Sequence, residues 1–241
     1  MVLTPQLKAS YDKKRDTYDF DPVFANISKY LAKSDYVIGN LETPLAGKKL
    51  IYTNKDTVFN TPDEFGYSIK KAGFSFLSIA NNHCLDRQVI GLKNTLKTLS
   101  KIDIDYGGGY HDNSETFSDC VKLVKEKKVA IFTYTYGTNS EWQNNKLKEN
   151  EKYIVDLLRE QDEYNNIKPS KFAPVKKFVK RILPQGIREK IKPIVIQDCV
   201  KSDKQNSDYI LRMKKRIASA RKNADIVILY LHCGGQYNST V

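Results

Sequence analysis

The chain has 241 residues, of which 40% are hydrophobic, so it can bury one large core and we expect a single α/β domain over residues 1–241. Lys and Arg outnumber Asp and Glu by 40 to 28, and the net charge of +12 favours anionic partners without choosing among phosphates, acidic polymers, nucleic acids and membrane surfaces. No apolar run approaches the roughly 18 residues of a membrane-spanning helix, the N-terminus lacks the apolar core of a secretory signal, and the four cysteines form no CxxC pair.

The N-terminal half alternates predicted strands and helices. An Asp-Pro start followed by a helical apolar stripe predicts a first helix over 22–31. The β-prone run 35–40, which ends in Gly-Asn, predicts a strand, and a helix is predicted over 62–72. The short apolar run 76–80 predicts a second strand, and apolar residues at four helically spaced positions predict a helix over 89–99.

Polar side chains follow both predicted strands. Asn40 ends the first strand and Glu42 follows it, and the segment 81–86, Asn-Asn-His-Cys-Leu-Asp, comes after the second. Taken alone, Asn40 and Glu42 are typical of a turn capped by polar side chains. Parallel strands open onto the same edge of a sheet, where α/β proteins bind ligands, so the two groups together favour a site.

The C-terminal half continues the alternation. A strand is predicted over 129–134, a helix over 207–223 and a continuous buried strand over 224–231. His232 follows this last strand. By itself it is typical of a core or turn histidine, although a third strand end is also where a metal cleft would need a ligand. We interpret His111 as a solvated loop residue without a role.

A basic insertion is predicted at about 143–205. Between residues 165 and 193 there are nine Lys or Arg and one acid, and apolar and basic residues separate onto two faces of a predicted helix over 170–183. One interpretation is packing of the apolar face on the domain. The other is docking on an anionic membrane surface or an acidic polymer. Nucleic acid is disfavoured because no recognised nucleic-acid motif accompanies the charge.

Several segments resemble the CapA family of poly-γ-glutamate capsule biosynthesis proteins, which is placed within the calcineurin-like metallophosphoesterase superfamily. They are DYVIGNLETPL at 35–45, FNTP at 59–62, AGF at 72–74, ANNHCLD at 80–86 and YTYGTN at 134–139. The most specific are NLET at 40–43 and ANNHxLD at 80–86, which are in register. The resemblance implies a layered α/β/β/α sandwich. It also implies a hydrolase that acts on phosphoesters with two divalent metal ions, drawn from Mn, Fe, Zn and Mg.

The resemblance also implies roles for individual residues. Glu42, Asn82 and His232 would be metal ligands, one from each strand end, with Asn40 as an alternative to Glu42 in a bridging position. Carboxylate, amide oxygen and imidazole suit such metals.

His83 would contact the phosphate and protonate the leaving group. The superfamily usually has an acid directly after this histidine, where Cys84 stands, so Asp86 is the residue expected to orient His83.

The chain also departs from the family pattern. The family's first strand, ending in Gly-Asp, is absent, Leu3 stands where family members carry histidine, Gln236 stands where glutamate is common, and a later His-containing segment does not follow. We therefore expect an incomplete domain, without the first strand and the C-terminal part, that binds metal weakly and hydrolyses phosphoesters slowly or not at all. Unpaired sheet edges would favour association with another chain. The alternative functions are a non-catalytic module that binds an anionic polymer or membrane surface and, from charge alone, a nucleic-acid-binding protein.

Overall fold

The computed structural model describes residues 1–54, 57–113, 120–163 and 203–233. Its helices and strands are numbered here in chain order within those ranges. The helices are α1 Thr4–Ser10, α2 Asp21–Phe24, α3 Ser28–Leu31, α4 Asp63–Ala72, α5 Gln88–Lys101, α6 Ser140–Gln143 and α7 Asp203–Ala220, and 3-10 segments cover Lys48–Leu50 and Glu149–Ile154. The strands are β1 Tyr11–Asp12, β2 Thr17–Tyr18, β3 Ile38–Asn40, β4 Phe76–Ser78, β5 Asp105–Gly107, β6 Cys120–Val124, β7 Lys127–Thr135 and β8 Ile226–His232.

The first sheet is parallel and has the order β3-β4-β5. Helices α4 and α5 join these strands, and their apolar residues pack with β4 in one cluster that includes Ile69, Leu77, Leu92 and Leu96. Gly73 ends α4 at a φ of 106°, a left-handed conformation that glycine adopts without strain and that turns the chain back toward β4. This sheet confirms the predicted strand–helix alternation over residues 35–107.

The second sheet is mixed and has the order β6-β7-β8. Strand β7 is antiparallel to β6 and parallel to β8, and it is buried from Val129 to its end. Helix α7 covers one face of this sheet, because Met213, Ile217 and Ala220 pack with Phe132. The predicted strand at 129–134 and the predicted helix at 207–223 are therefore present with shifted ends.

The two sheets contact each other through apolar side chains. Phe76 of the first sheet is fully buried and packs in one cluster with Val129 and Ile131 of the second. Helix α5 packs against the first sheet, and helix α7 packs against the second sheet. The chain is thus a mixed α/β protein with two contacting sheets, while the layering specific to metallophosphoesterases stays a prediction.

The helix predicted over 22–31 is wrong in its continuity. The segment forms two one-turn helices, α2 and α3, and Val23, Ile27 and Tyr30 are exposed rather than buried. Only Phe24 of the stripe packs against the main core. The apolar spacing was that of an amphipathic helix, but the face it marks lies mostly against solvent, so burial did not extend the helix.

The prediction of a buried strand at 224–231 is also wrong in one respect. Strand β8 forms, but Ile226, Leu229 and Leu231 are exposed by 47%, 39% and 42%. Among the described residues, β8 lies at the end of the strand order and pairs only with β7. An apolar run predicts a strand without telling which of its faces another element covers. Association through this edge stays a prediction.

The predicted insertion starts within packed structure. Ile154 and Leu157 are buried in the main cluster, and isolated bridges join Val155 to Gly109 and Leu157 to Thr135. The basic helix predicted over 170–183 lies outside the described residues. Within the described part of the chain, no helix combines the length and the apolar character needed to cross a bilayer.

Candidate functional site at the strand ends

Three strands deliver polar side chains to one place. β3 and β4 are parallel neighbours with Asn40 opposite Ser78, so the segments that leave them start from the same edge of the first sheet. β8 ends at His232 in the second sheet. Glu42, Asn82, His83 and His232 are called the strand-end cluster below.

Hydrogen-bonding distances join the members of this cluster. His232 Nε2 lies 2.9 Å from Asn82 Oδ1, although the two residues are 150 positions apart in sequence. The same nitrogen lies 3.7 Å from Glu42 Oε1. Three atoms of metal-binding type, an imidazole nitrogen, an amide oxygen and a carboxylate oxygen, therefore converge.

The spacing of these atoms fits a divalent cation. Protein nitrogen and oxygen ligands lie about 2.0–2.2 Å from Zn²⁺ or Mg²⁺, so two ligands at a right angle are about 3 Å apart. The distances from His232 Nε2 to Asn82 Oδ1 and to Glu42 Oε1 are 2.9 and 3.7 Å. Within the described ranges no group of three or more His, Cys, Asp and Glu has this character, and here an asparagine supplies the third donor.

Asn40 lies beside this group and contacts Glu42. Its Nδ2 donates to Glu42 Oε2 at 3.4 Å, and its Oδ1 accepts from Asn81 Nδ2 at 3.2 Å. Asn81 also donates to the Leu41 carbonyl at 2.9 Å. Both groups of the Asn40 amide thus have protein partners, which favours Glu42 over Asn40 as the residue facing His232.

His83 is held by a buried carboxylate. His83 Nδ1 lies 2.9 Å from Asp86 Oδ2, and the same oxygen accepts the Phe59 backbone N–H at 2.6 Å. The edge of the Phe59 ring packs on His83 with the centroids 4.5 Å apart. Because a carboxylate only accepts hydrogen bonds, His83 carries a proton on Nδ1 in this contact. The expected contact between Asp86 and His83 is therefore present.

His232 sits in a partly buried, aromatic environment. Burial lowers the pKa of its imidazole, the neighbouring His83 lowers that pKa further, and the Glu42 carboxylate opposes both effects. The Tyr136 ring stacks on His232 at 6.4 Å with an angle of 9° between the rings. Asn82 Oδ1 only accepts, so Nε2 of His232 carries a proton in this contact. A neutral imidazole can instead carry its proton on Nδ1 and offer Nε2 to a metal, so the lowered pKa suits a ligand.

Asn139 is a member of the site that the sequence did not single out. Its Oδ1 accepts from Asn82 Nδ2 at 3.3 Å, which leaves Asn82 Oδ1 turned toward His232. Asn139 has a φ of 56° and precedes α6 in the segment that follows β7. The sequence signal for Asn139 was its position shortly after a third predicted strand. His111, which was given no role, is not in the strand-end cluster.

Comparison with known proteins places these residues in a family context. A family model described as "Bacterial capsule synthesis protein PGA_cap" matches residues 2–241, which is nearly the whole chain. The chain belongs to this family. The predicted resemblance to CapA proteins is thereby confirmed.

Two curated relatives carry the CapA name. "Capsule biosynthesis protein CapA" of Bacillus anthracis is 34% identical over 123 residues, which cover 50% of this chain and 29% of that protein. "PGA biosynthesis protein CapA" of Bacillus subtilis (strain 168) is 33% identical over 111 residues, covering 45% and 28%. The matched segments span less than a third of either relative. The function of those whole proteins therefore does not transfer directly to this PGA_cap chain.

Proposed function

We propose that this PGA_cap chain is a metal-dependent protein of the phosphoesterase type that serves the synthesis of an anionic capsule polymer, poly-γ-glutamate. The observation that carries the proposal is the convergence of Glu42, Asn82 and His232 at distances of 2.9 and 3.7 Å beside a histidine held by a carboxylate. The names of the two relatives support the capsule role. A layered metallophosphoesterase arrangement of the two sheets is part of the same proposal.

The residues present fit a divalent cation. Glu42, Asn82 and His232 would hold it, and Mn, Fe, Zn and Mg all accept such a mixture of oxygen and nitrogen donors. A bound cation of this kind lowers the pKa of a water molecule and neutralises charge on phosphoryl oxygens.

The chain's own residues supply the remaining functions. Asp86 accepts a hydrogen bond from Nδ1–H of His83 and so orients the ring, and Nε2 of His83 would be the nitrogen that donates a proton to a leaving oxygen. Asn139 orients the side chain of Asn82 through a hydrogen bond, and the ring of Tyr136 orients His232 by stacking. Neither residue would contact the metal itself.

We expect slow turnover. The resemblance implies two metals, while the described residues bring together the donors for one. The experiment is hydrolysis of bis(p-nitrophenyl) phosphate by the purified chain with added Mn²⁺, Zn²⁺ or Mg²⁺, together with the bound metal per chain.

A slow, metal-dependent rate that chelation and His83→Ala abolish would support the proposal. His111→Ala is the matched control, because it removes an imidazole outside the strand-end cluster and should leave the rate unchanged. A chain that binds no metal at this site contradicts the proposal.

A second candidate function is a non-catalytic module that binds an anionic polymer or membrane surface. The net charge of +12 favours it. Metal bound through His232 without any turnover, together with polymer binding, would favour this second function over the first.

A further inference from the structure

A cavity of about 570 Å³ lies between α7 and the segment 149–157. Its size falls within the range of about 300–1,000 Å³ that small-molecule sites occupy. None of the described residues that line it belongs to the strand-end cluster. Whatever the cavity binds is therefore separate from the proposed metal site.

One face of α7 makes the cavity basic. Arg212, Lys215, Arg216 and Ser219 all line it, and this spacing places them along one side of a helix. Lys152 contributes a fourth cation from the opposite wall. The lining contains four basic side chains and two carboxylates.

Two of the four cations are already paired. Arg216 Nη1 lies 2.8 and 2.9 Å from the two oxygens of Asp156, and Lys152 Nζ lies 2.7 Å from Glu149 Oε1 and 3.0 Å from Glu160 Oε2. These contacts use both carboxylates of the lining. The internal charges of the cavity wall are therefore balanced before Arg212 and Lys215 are considered.

Arg212 and Lys215 form no ion pair with any carboxylate in the described residues. Arg212 stacks on the Tyr209 ring at 4.8 Å, which orients its guanidinium without neutralising it. Lys215 lies three residues further along α7, so the two side chains leave the same side of the helix about one turn apart. The cavity thus has two cations on one side of α7 that make no direct ion pair within the described residues.

The rest of the wall is rigid and largely apolar. Arg216 also donates to the hydroxyls of Tyr134 and Tyr110, at 3.2 and 2.9 Å, and cannot swing away to meet a ligand. Tyr153, Val155 and Leu157 add apolar surface. A ligand for this site would place anionic groups at Arg212 and Lys215 and a short uncharged body against the tyrosine and aliphatic wall.

We propose that this cavity binds a small organic dianion, bearing carboxylate or phosphate groups, through Arg212 and Lys215. The site acts independently of the strand-end cluster. Arg216 and Asp156 form its fixed wall, and the exposed ends of Arg212 and Lys215 supply the attraction.

Calorimetry on the metal-stripped full chain at low ionic strength tests the proposal. The probes are glutarate for two carboxylates, glycerol phosphate for a phosphate, and glutaramide as the uncharged analogue. We expect saturable binding of one or both anions and none of glutaramide, and the stronger anion identifies the source of the charge.

The variant Arg212→Gln with Lys215→Gln should weaken anion binding by about fivefold or more, since each exposed charge contact contributes a modest amount. Lys214→Gln with Lys222→Gln removes the same charge from residues that do not line the cavity, and it should bind like the parent chain. Equal weakening in both double variants, or no saturable binding of either anion, overturns the proposal. His232→Ala should bind the anions normally, so failure of the metal site and failure of this cavity are distinguishable.

Discussion

The strand-end cluster and the group around Arg216 differ in the balance of their hydrogen bonds. Arg216 donates to both oxygens of Asp156 and to two tyrosine hydroxyls. Around His232, by contrast, the near atoms are the acceptors Asn82 Oδ1 and Glu42 Oε1. The two Nη atoms of Arg216 have protein acceptors, although its buried Nε has none among the described residues. The group around His232 presents more acceptors than donors.

This difference suits the group around Arg216 to stabilising the fold and the strand-end cluster to binding a cation. Burial opposes the charge on Arg216, but Asp156 and the tyrosines outweigh it and raise the pKa of the guanidinium. A charged arginine whose two Nη atoms are paired in this way specifies the position of α7 and contributes to stability. Convergent acceptors stabilise the fold little by themselves and are suited to a cation.

The largest expected effect is the loss of stability when the ion pair between Arg216 and Asp156 is removed. Arg216→Leu leaves the Asp156 carboxylate buried without its partner, so the free energy of unfolding should fall by about 3–5 kcal/mol. Urea unfolding measures the change. Arg221→Leu, which removes an exposed arginine after the same helix, should cost far less. Equal losses in the two variants would show that the pair with Asp156 does not anchor α7.

The next largest effect concerns metal affinity. His232→Ala removes one of three converging donors, so the dissociation constant for Mn²⁺ should rise by about 100-fold or more, since even outer contacts of a metal site change affinity by about 10–100-fold. Titration calorimetry measures the constant. His111→Ala should leave it unchanged, and the unfolding midpoint of His232→Ala should stay near that of the parent. An unaltered Mn²⁺ constant would remove the strand-end cluster from consideration as the metal site.

A smaller effect is expected at the carboxylate that holds His83. Asp86→Ala leaves the buried Phe59 N–H without an acceptor and should lower the free energy of unfolding by about 1–3 kcal/mol. Asp86→Asn keeps an oxygen that can accept from Phe59 and should cost less. Both variants should lower any phosphodiester turnover, because His83 loses its anionic partner. Greater stability of Asp86→Ala would show that the unpartnered Oδ1 of Asp86 outweighs the contact with Phe59.

The smallest effect is expected at Asn139. Asn139→Gly removes the oxygen that orients the Asn82 amide, and glycine suits the φ of 56° at this position. The Mn²⁺ dissociation constant should rise by about tenfold, with little change in the unfolding midpoint. Asn139→Asp keeps an acceptor for Asn82 and should bind Mn²⁺ at least as well as Asn139→Gly. A parent-like constant in Asn139→Gly would show that Asn82 needs no outside support.

The elements with strong local signals were predicted well. The helix predicted over 62–72, the strand predicted over 76–80 and the helix predicted over 89–99 are present as α4, β4 and α5. α5 buries Leu92, Leu96 and Leu99 of its predicted apolar stripe. The helix over 22–31 and the burial of β8 were predicted wrongly, because both depend on which neighbouring element covers an apolar face. The spacing of apolar residues shows that an element has an apolar face, but it does not show whether another element packs on that face.

The candidate site shows the same division. The segment 81–86 has its donors close in sequence, and the bond between His83 and Asp86 joins residues three positions apart. The contact of Asn82 with Asn139 spans 57 positions and was not predicted. It depends on where the segment after β7 crosses the edge of the first sheet.

The sequence by itself determined the α/β class, the family, and the residue types available for metal and phosphoester chemistry. Only the tertiary structure decided that His232 contacts Asn82 and Glu42. It also decided that Arg216 forms an ion pair with Asp156, while Arg212 and Lys215 form none within the described residues. The physical reason is that local periodicity reports backbone conformation, whereas contacts between distant residues follow from strand order, register and the packing of two sheets.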